Sequence, residues 1–158
     1  VEPPTDLCNV EFGVHVIRDL NQRRAVAQNW VDTGFKKGSI VVTSSMSSEI
    51  YNQKFLNEPL TQVFYNSSKG AATSMVKGLA AEWAKYGIRV NALEPGFCDT
   101  EQTSGMDPKI REWQASSVPL GRFSVPKEQG APAVFLLSEY ASYMTGSQIR
   151  PDGGFTVY

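Results

Sequence analysis

The stretch YNSSKGAATSMVKGLAAEWAKYGIRVNAL, residues 65–93, decides the fold class. Ala71, Ala72, Met75, Val76, Leu79, Ala80 and Trp83 recur at the spacing of one helix face. This predicts a helix from about Phe64 to Tyr86, with Gly87 as its stop. Small residues at Gly70, Ala71 and Ala72 allow that helix to approach a neighbour closely. Ile88-Arg89-Val90-Asn91-Ala92-Leu93 follows at once as a strand, broken by Pro95-Gly96. A helix that turns directly into such a strand is the repeating unit of an α/β fold.

At the head of this helix Tyr65 and Lys69 stand four residues apart, one above the other on the same face. An ammonium beside a phenol favours the phenolate form. A tyrosine in that setting can give or take a proton at a carbonyl or alcohol oxygen. Taken alone, the pair fits an ordinary helix surface as well.

Upstream, Ser39-Ile40-Val41-Val42-Thr43-Ser44-Ser45 reads as a short buried strand of the kind found in a covered parallel sheet. It runs into the hydroxyl-rich cluster Ser44-Ser45-Met46-Ser47-Ser48, and a long loop containing Pro59 continues to about Phe64. Residues 9–33 are broadly helical, with Val14, Ile17, Leu20, Ala25, Val26 and Trp30 as candidate buried positions and Gly34 as the end. Residues 1–8 read as a loose leader.

Downstream, residues 97–106 are polar and turn-prone, as a mobile loop over a site would be. A short helix is expected from about Pro108 to Ser116, capped by Asp107, and another from Pro126 to about Ser138, carrying Ala131, Val134, Phe135 and Leu136. Met144 to Arg150 reads as a last strand, and Asp152-Gly153-Gly154 as a turn. The whole of 1–158 is expected to be a single domain whose element order fits half of a doubly wound sheet.

Composition narrows the partners. Charged residues make up 20% and the net charge is −1, so no basic field exists to attract nucleic acid or an anionic membrane. No apolar run approaches the roughly 20 residues of a membrane span. Val1-Glu2-Pro3-Pro4-Thr5-Asp6 lacks the basic start and apolar core of a signal peptide. Cys8, Cys98 and His15 have neither metal-ligand nor disulfide spacing. The expectation is a cytoplasmic domain without a metal site.

Five motifs in order then carry a resemblance: Ser44-Ser45; Tyr65-Asn66-Ser67-Ser68-Lys69; Arg89-Val90-Asn91-Ala92-Leu93-Glu94-Pro95-Gly96; Thr145-Gly146; and Asp152-Gly153-Gly154. Together, over residues 34–158, they resemble the C-terminal catalytic half of a short-chain dehydrogenase/reductase. The segment from Gly38 to Asn52 and the spacing from Ser45 to Tyr65 are most similar to fungal mannitol dehydrogenases and sorbose reductases that use NADP. The resemblance implies an α/β fold, the C-terminal half of a Rossmann-like doubly wound parallel sheet. It also implies hydride transfer between a nicotinamide cofactor (NADP, with NAD possible) and a ketose or polyol, and a homo-oligomer.

In that setting Tyr65 would be the general acid/base, with Lys69 supporting it and bonding the nicotinamide ribose. Ser45 would hold the substrate oxygen, a fixed donor in a dry site. Pro95, Gly96 and Thr100 would contact the nicotinamide end. Asn9, followed by Val10 and Phe12-Gly13-Val14, resembles the family's proton-relay asparagine, at a distance from Ser45 several residues longer than the family's. The family's Gly-rich pyrophosphate turn has no counterpart in the 158 residues. A second reading follows from that: a non-catalytic remnant acting only as an interaction or oligomer partner.

Overall fold

A computed structural model describes residues 20–157. Helix α1 occupies 20–32. Strand β1 (Ser39–Thr43) runs into a single 3₁₀ turn, Met46–Ser48, and then a small antiparallel hairpin of β2 (Gln53–Phe55) and β3 (Glu58–Pro59). Helix α2 (Val63–Trp83) ends in a 3₁₀ turn, Ala84–Tyr86, and leads to β4 (Arg89–Leu93). Helices α3 (Glu101–Ser104), α4 (Pro108–Ser117) and α5 (Pro126–Leu137) precede the last strand, β5 (Gln148–Ile149).

The three main strands form a parallel sheet in the order β1-β4-β5. Ile40 lies beside Val90, Val42 beside Ala92, and Leu93 beside Ile149. Parallel neighbours need a crossover, and α2 supplies it between β1 and β4. Ile40, Val42, Val90 and Ala92 form one core with Ala72, Val76, Leu79 and Ala80 of α2 and Ala27 of α1. Val42, Val76, Val90 and Ala92 are completely buried. Each fully buried valine contributes about 1.5–3 kcal/mol. The periodicity of α2 is therefore the packing of its core face, and the expected α/β architecture is present.

Gly87 is required where α2 gives way to β4. Its φ is 72°, and a Cβ there would collide with the Lys36 carbonyl. Behind it, Arg89 donates to the carbonyls of Leu136, Ser138 and Met144 at 3.0, 3.1 and 3.2 Å. A guanidinium among the last carbonyls of α5 complements the negative end of that helix.

Several expectations are corrected. In α1 the buried residue is Ala27, whereas Ala25 and Val26 face solvent; Leu20 and Trp30 do pack on the core. In α5 only Leu136 is a buried hydrophobic, and Ala131, Val134 and Phe135 point outward. The long loop after Ser48 contains the β2–β3 hairpin, whose Asn57 has a φ of 59°. The loop at 97–106 contains the one-turn α3. The last strand shrinks to two residues because it pairs only with Ala92 and Leu93. Asn9, Val14, Ile17 and the leader at 1–8 lie outside the described residues. Among the described residues no helix is long and apolar enough to cross a membrane.

Candidate active site

The sheet's C-terminal edge gathers the candidate residues. Ser44 N–H donates to Leu93 O at 2.8 Å, and Met46 N–H donates to Pro95 O at 3.1 Å. The chain leaving β1 is thereby tied to the chain leaving β4, so Ser45 and Pro95-Gly96 emerge side by side. In parallel α/β sheets this edge is where ligands bind.

Ser45 is buried and extended, and it caps the 3₁₀ turn: its Oγ accepts from Ser47 N–H at 3.1 Å. Ser44 faces the other way, and its Oγ donates to Lys69 O at 2.9 Å and lies 2.8 Å from Thr73 Oγ1. The two serines thus differ in their partners, Ser44 anchoring helix α2 and Ser45 capping the turn that follows β1.

The first turns of α2 rest on the segment after Ser45, where Asn66 Nδ2 donates to Ile50 O at 2.6 Å. Tyr65 is 44% exposed. Lys69 Nζ lies 5.6 Å from the Tyr65 ring centroid and donates to Thr43 O at 3.2 Å. The i, i+4 spacing thus delivers the expected pairing, with the ammonium held between the end of β1 and the phenol.

Gly96 packs against the C-terminal turn. Its N–H donates to Pro151 O at 3.3 Å, and a Cβ there would stand 2.6 Å from the Asp152 Cα. Thr100 is the N-cap of α3, with its N–H donating to Thr103 Oγ1 at 2.9 Å. Asp152-Gly153-Gly154 is a turn, as expected: Asp152 accepts from Gly154 N–H and from the Thr156 N–H and hydroxyl. Burial pushes the Asp152 carboxyl up, but the Thr156 hydroxyl and these amides outweigh it and leave it below the ordinary value.

The segment after the serine turn and the segment after Gly96 touch each other. Gln114 of α4 donates to Gln53 O at 3.0 Å, and the Trp113 and Phe55 rings meet edge to face at 6.1 Å. The β2–β3 hairpin and α4 therefore form one wall.

Sequence reasoning passed over the charged centre beneath the site. Glu94, immediately before Pro95, is fully buried. Arg150 grips its Oε2 through Nε at 3.0 Å and Nη2 at 2.6 Å, and also pairs with Glu49 at 2.8 Å. Burial lowers the Arg150 pKa, but the bonds to Glu94 and Glu49 more than offset this and leave it above its ordinary value. A carboxylate at the end of an apolar strand was a visible signal, since a buried charge needs a partner. Its partner, 56 residues away, was not visible.

Residues 21–156 match the sequence model of a family described as enoyl-(acyl carrier protein) reductase. The sorbose reductase of Candida albicans is 41% identical over 123 residues, covering 77% of this chain and 41% of the relative. The NADP-dependent mannitol dehydrogenase of Hypocrea jecorina is 37% identical over 145 residues, covering 90% and 52%. Among solved structures, a gluconate 5-dehydrogenase from Burkholderia cenocepacia in complex with NADP and tartrate superposes with a TM-score of 0.76 at 32% identity, over 85% of this chain and 50% of that one. The chain spans about half the length of the curated relatives it matches.

Proposed function

The chain belongs to the short-chain dehydrogenase/reductase family, and from that premise we propose that it interconverts a ketose and a polyol with a nicotinamide cofactor, NADP in preference to NAD. The observation that carries this reading is the join between the two halves of the site. Ser44 Oγ bonds Lys69 O at 2.9 Å, fixing the Tyr65–Lys69 helix against the strand end that presents Ser45.

The donor set suits the nicotinamide–ribose end of such a cofactor: an exposed phenol, an ammonium beside it, and the backbone at Pro95-Gly96 with Thr100 beyond. When bound, the cofactor supplies or accepts the hydride. The protein's own part is proton transfer and charge stabilisation. Ser45 donates its hydroxyl hydrogen to the substrate oxygen and stabilises negative charge developing there. Tyr65 gives that oxygen a proton in reduction and removes it in oxidation. Lys69 holds positive charge next to the phenol and bonds the ribose. Asn9 is assigned to the proton relay by resemblance alone.

A polyol or ketose is the substrate class favoured by the named relatives. The wall made by the β2–β3 hairpin and α4 is assigned the choice among sugars. A cytoplasmic location accords with the composition. Homo-oligomerisation accords with the outward apolar residues Val134, Leu137, Tyr140 and Tyr143 on and after α5.

The test is NADPH oxidation by the purified protein with fructose and with sorbose, beside a Tyr65→Phe control. The expected result is turnover with at least one sugar, falling roughly 10²–10⁴-fold in the control. Turnover that survives Tyr65→Phe would overturn the assignment of Tyr65. Absence of both turnover and NADPH binding would favour the interaction-partner reading.

A further inference from the structure

We infer that the buried Glu94–Arg150 pair is the positioning element of this site, holding the serine turn, helix α2 and the Pro95-Gly96 turn in one register. The inference rests on the proposed oxidoreductase reading for its kinetic consequence, but its structural consequence can be read without turnover.

Among the described residues, the contacts of the Glu94 carboxylate lead to helix α2, to the serine turn and to Arg150. Oε1 accepts from Thr73 Oγ1 at 2.8 Å and from Ser48 Oγ at 3.2 Å. Thr73 belongs to α2, one turn beyond Lys69, and Ser48 closes the 3₁₀ turn that Ser45 caps. Thr73 Oγ1 also lies 2.8 Å from the Oγ of Ser44, the neighbour of Ser45. Oε2 receives the Arg150 fork, and Arg150 reaches on to Glu49, just past the serine turn, and to Thr156 Oγ1 at 3.2 Å. Glu94 itself lies next to Pro95, whose carbonyl accepts from Met46 N–H.

A fully buried carboxylate with both oxygens engaged has a single favourable place, since displacement leaves charge unpaired in a low-dielectric interior. Neither Glu94 nor Arg150 is assigned contact with the reacting atoms. They act through Ser44, Ser48 and Thr73, which set where Ser45 stands relative to Tyr65.

The experiment compares the complete protein with the Glu94→Leu/Arg150→Leu double variant, which removes both charges together so that neither is stranded. Hydrogen exchange is followed over residues 44–50 and over strand β4, alongside kinetics. The expected result is unchanged protection of β4 with exchange at 44–50 faster by about tenfold or more. Turnover per NADPH-binding site should fall by about tenfold to a hundredfold, while the KM for NADPH stays within about twofold. Thr73→Val cuts the same link without moving a charge and carries the test if the double variant fails to fold. Its exchange and kcat should shift in the same direction.

Unchanged exchange at 44–50 in a folded variant overturns the inference whether or not the wild type turns over. Faster exchange with unchanged kcat overturns the positioning role while leaving the proposed function standing. A wild type without turnover sinks the proposed function, and the exchange data alone then decide whether the pair orders the turn.

Discussion

The Arg150–Glu94 and Arg122–Glu128 pairs are chemically alike and of nearly equal length, 2.6 and 2.7 Å. Both are two-pronged: Arg122 reaches the two Glu128 oxygens at 2.8 and 2.7 Å. They differ in surroundings. The Glu94 side chain is wholly buried, whereas those of Arg122 and Glu128 are 53% and 42% exposed. Water can replace either partner of the outer pair at little cost, so that pair dresses the start of α5 without securing the fold. No water competes for Glu94, so the inner pair binds together four segments distant in sequence. The lesson is that the environment of an ion pair, not its geometry, decides whether it organises a structure.

The comparison can be broken most decisively at Arg150. Arg150→Met leaves the Glu94 carboxylate buried without its cation, and unfolding by denaturant should show a loss of about 3–5 kcal/mol. A loss no larger than that of Arg122→Gln would erase the distinction drawn between the pairs. Thr73→Val removes one hydrogen bond to the same carboxylate but leaves its charge compensated. The expected loss is about 1–3 kcal/mol by the same measurement, intermediate between breaking the inner pair and breaking the outer one.

Arg122→Gln should leave the melting temperature almost unmoved at moderate salt. Any small difference from the wild type should shrink as salt is raised, because exposed charges are screened. A shift as large as that of Thr73→Val would mean that the outer pair carries structural weight.

The smallest effect is a pH dependence at the outer pair. The hydrogen bond from Arg122, then that from Val125 N–H, holds the Glu128 carboxyl at about 2, down from its ordinary 4.5. A carboxyl depressed on folding stabilises the native state fully above its unfolded value and loses that contribution as pH falls through its folded value. The difference in melting temperature between wild type and Glu128→Gln should therefore be constant above pH 4.5 and fade between 4.5 and about 2. A difference that instead grows on acidification would contradict the assigned direction.

What could be read ahead of the structure follows from periodicity. Ala72, Val76, Leu79 and Ala80 recur with the helical turn, and they are the residues that reach the core. The boundaries of α2 and β4 were legible for the same reason, together with Gly87. Ala25 and Val26 were misplaced because the polar run Asn21 to Arg24 leaves the phase of α1 weakly marked, and the core took the next residue, Ala27. Val134 and Phe135 were legible as apolar but not as outward-facing, since direction depends on what the helix lies against. The hairpin at 53–59 carries almost no alternation, and it forms against α4, a partner distant in sequence.

By itself the sequence determined the α/β class and the family and marked out the residues proposed for the site, because spacing along a helix and the ends of apolar strands are local properties. Tyr65 and Lys69 share a helix face wherever that helix lies. The tertiary structure alone decided that Ser44 anchors the helix through the Lys69 carbonyl, and that the hairpin and α4 make one wall. It alone also paired Glu94 with Arg150. The physical reason is that a buried charge is tolerated only beside its partner, and which residue becomes that partner depends on the register of β4 against β5 and on the turns that follow them.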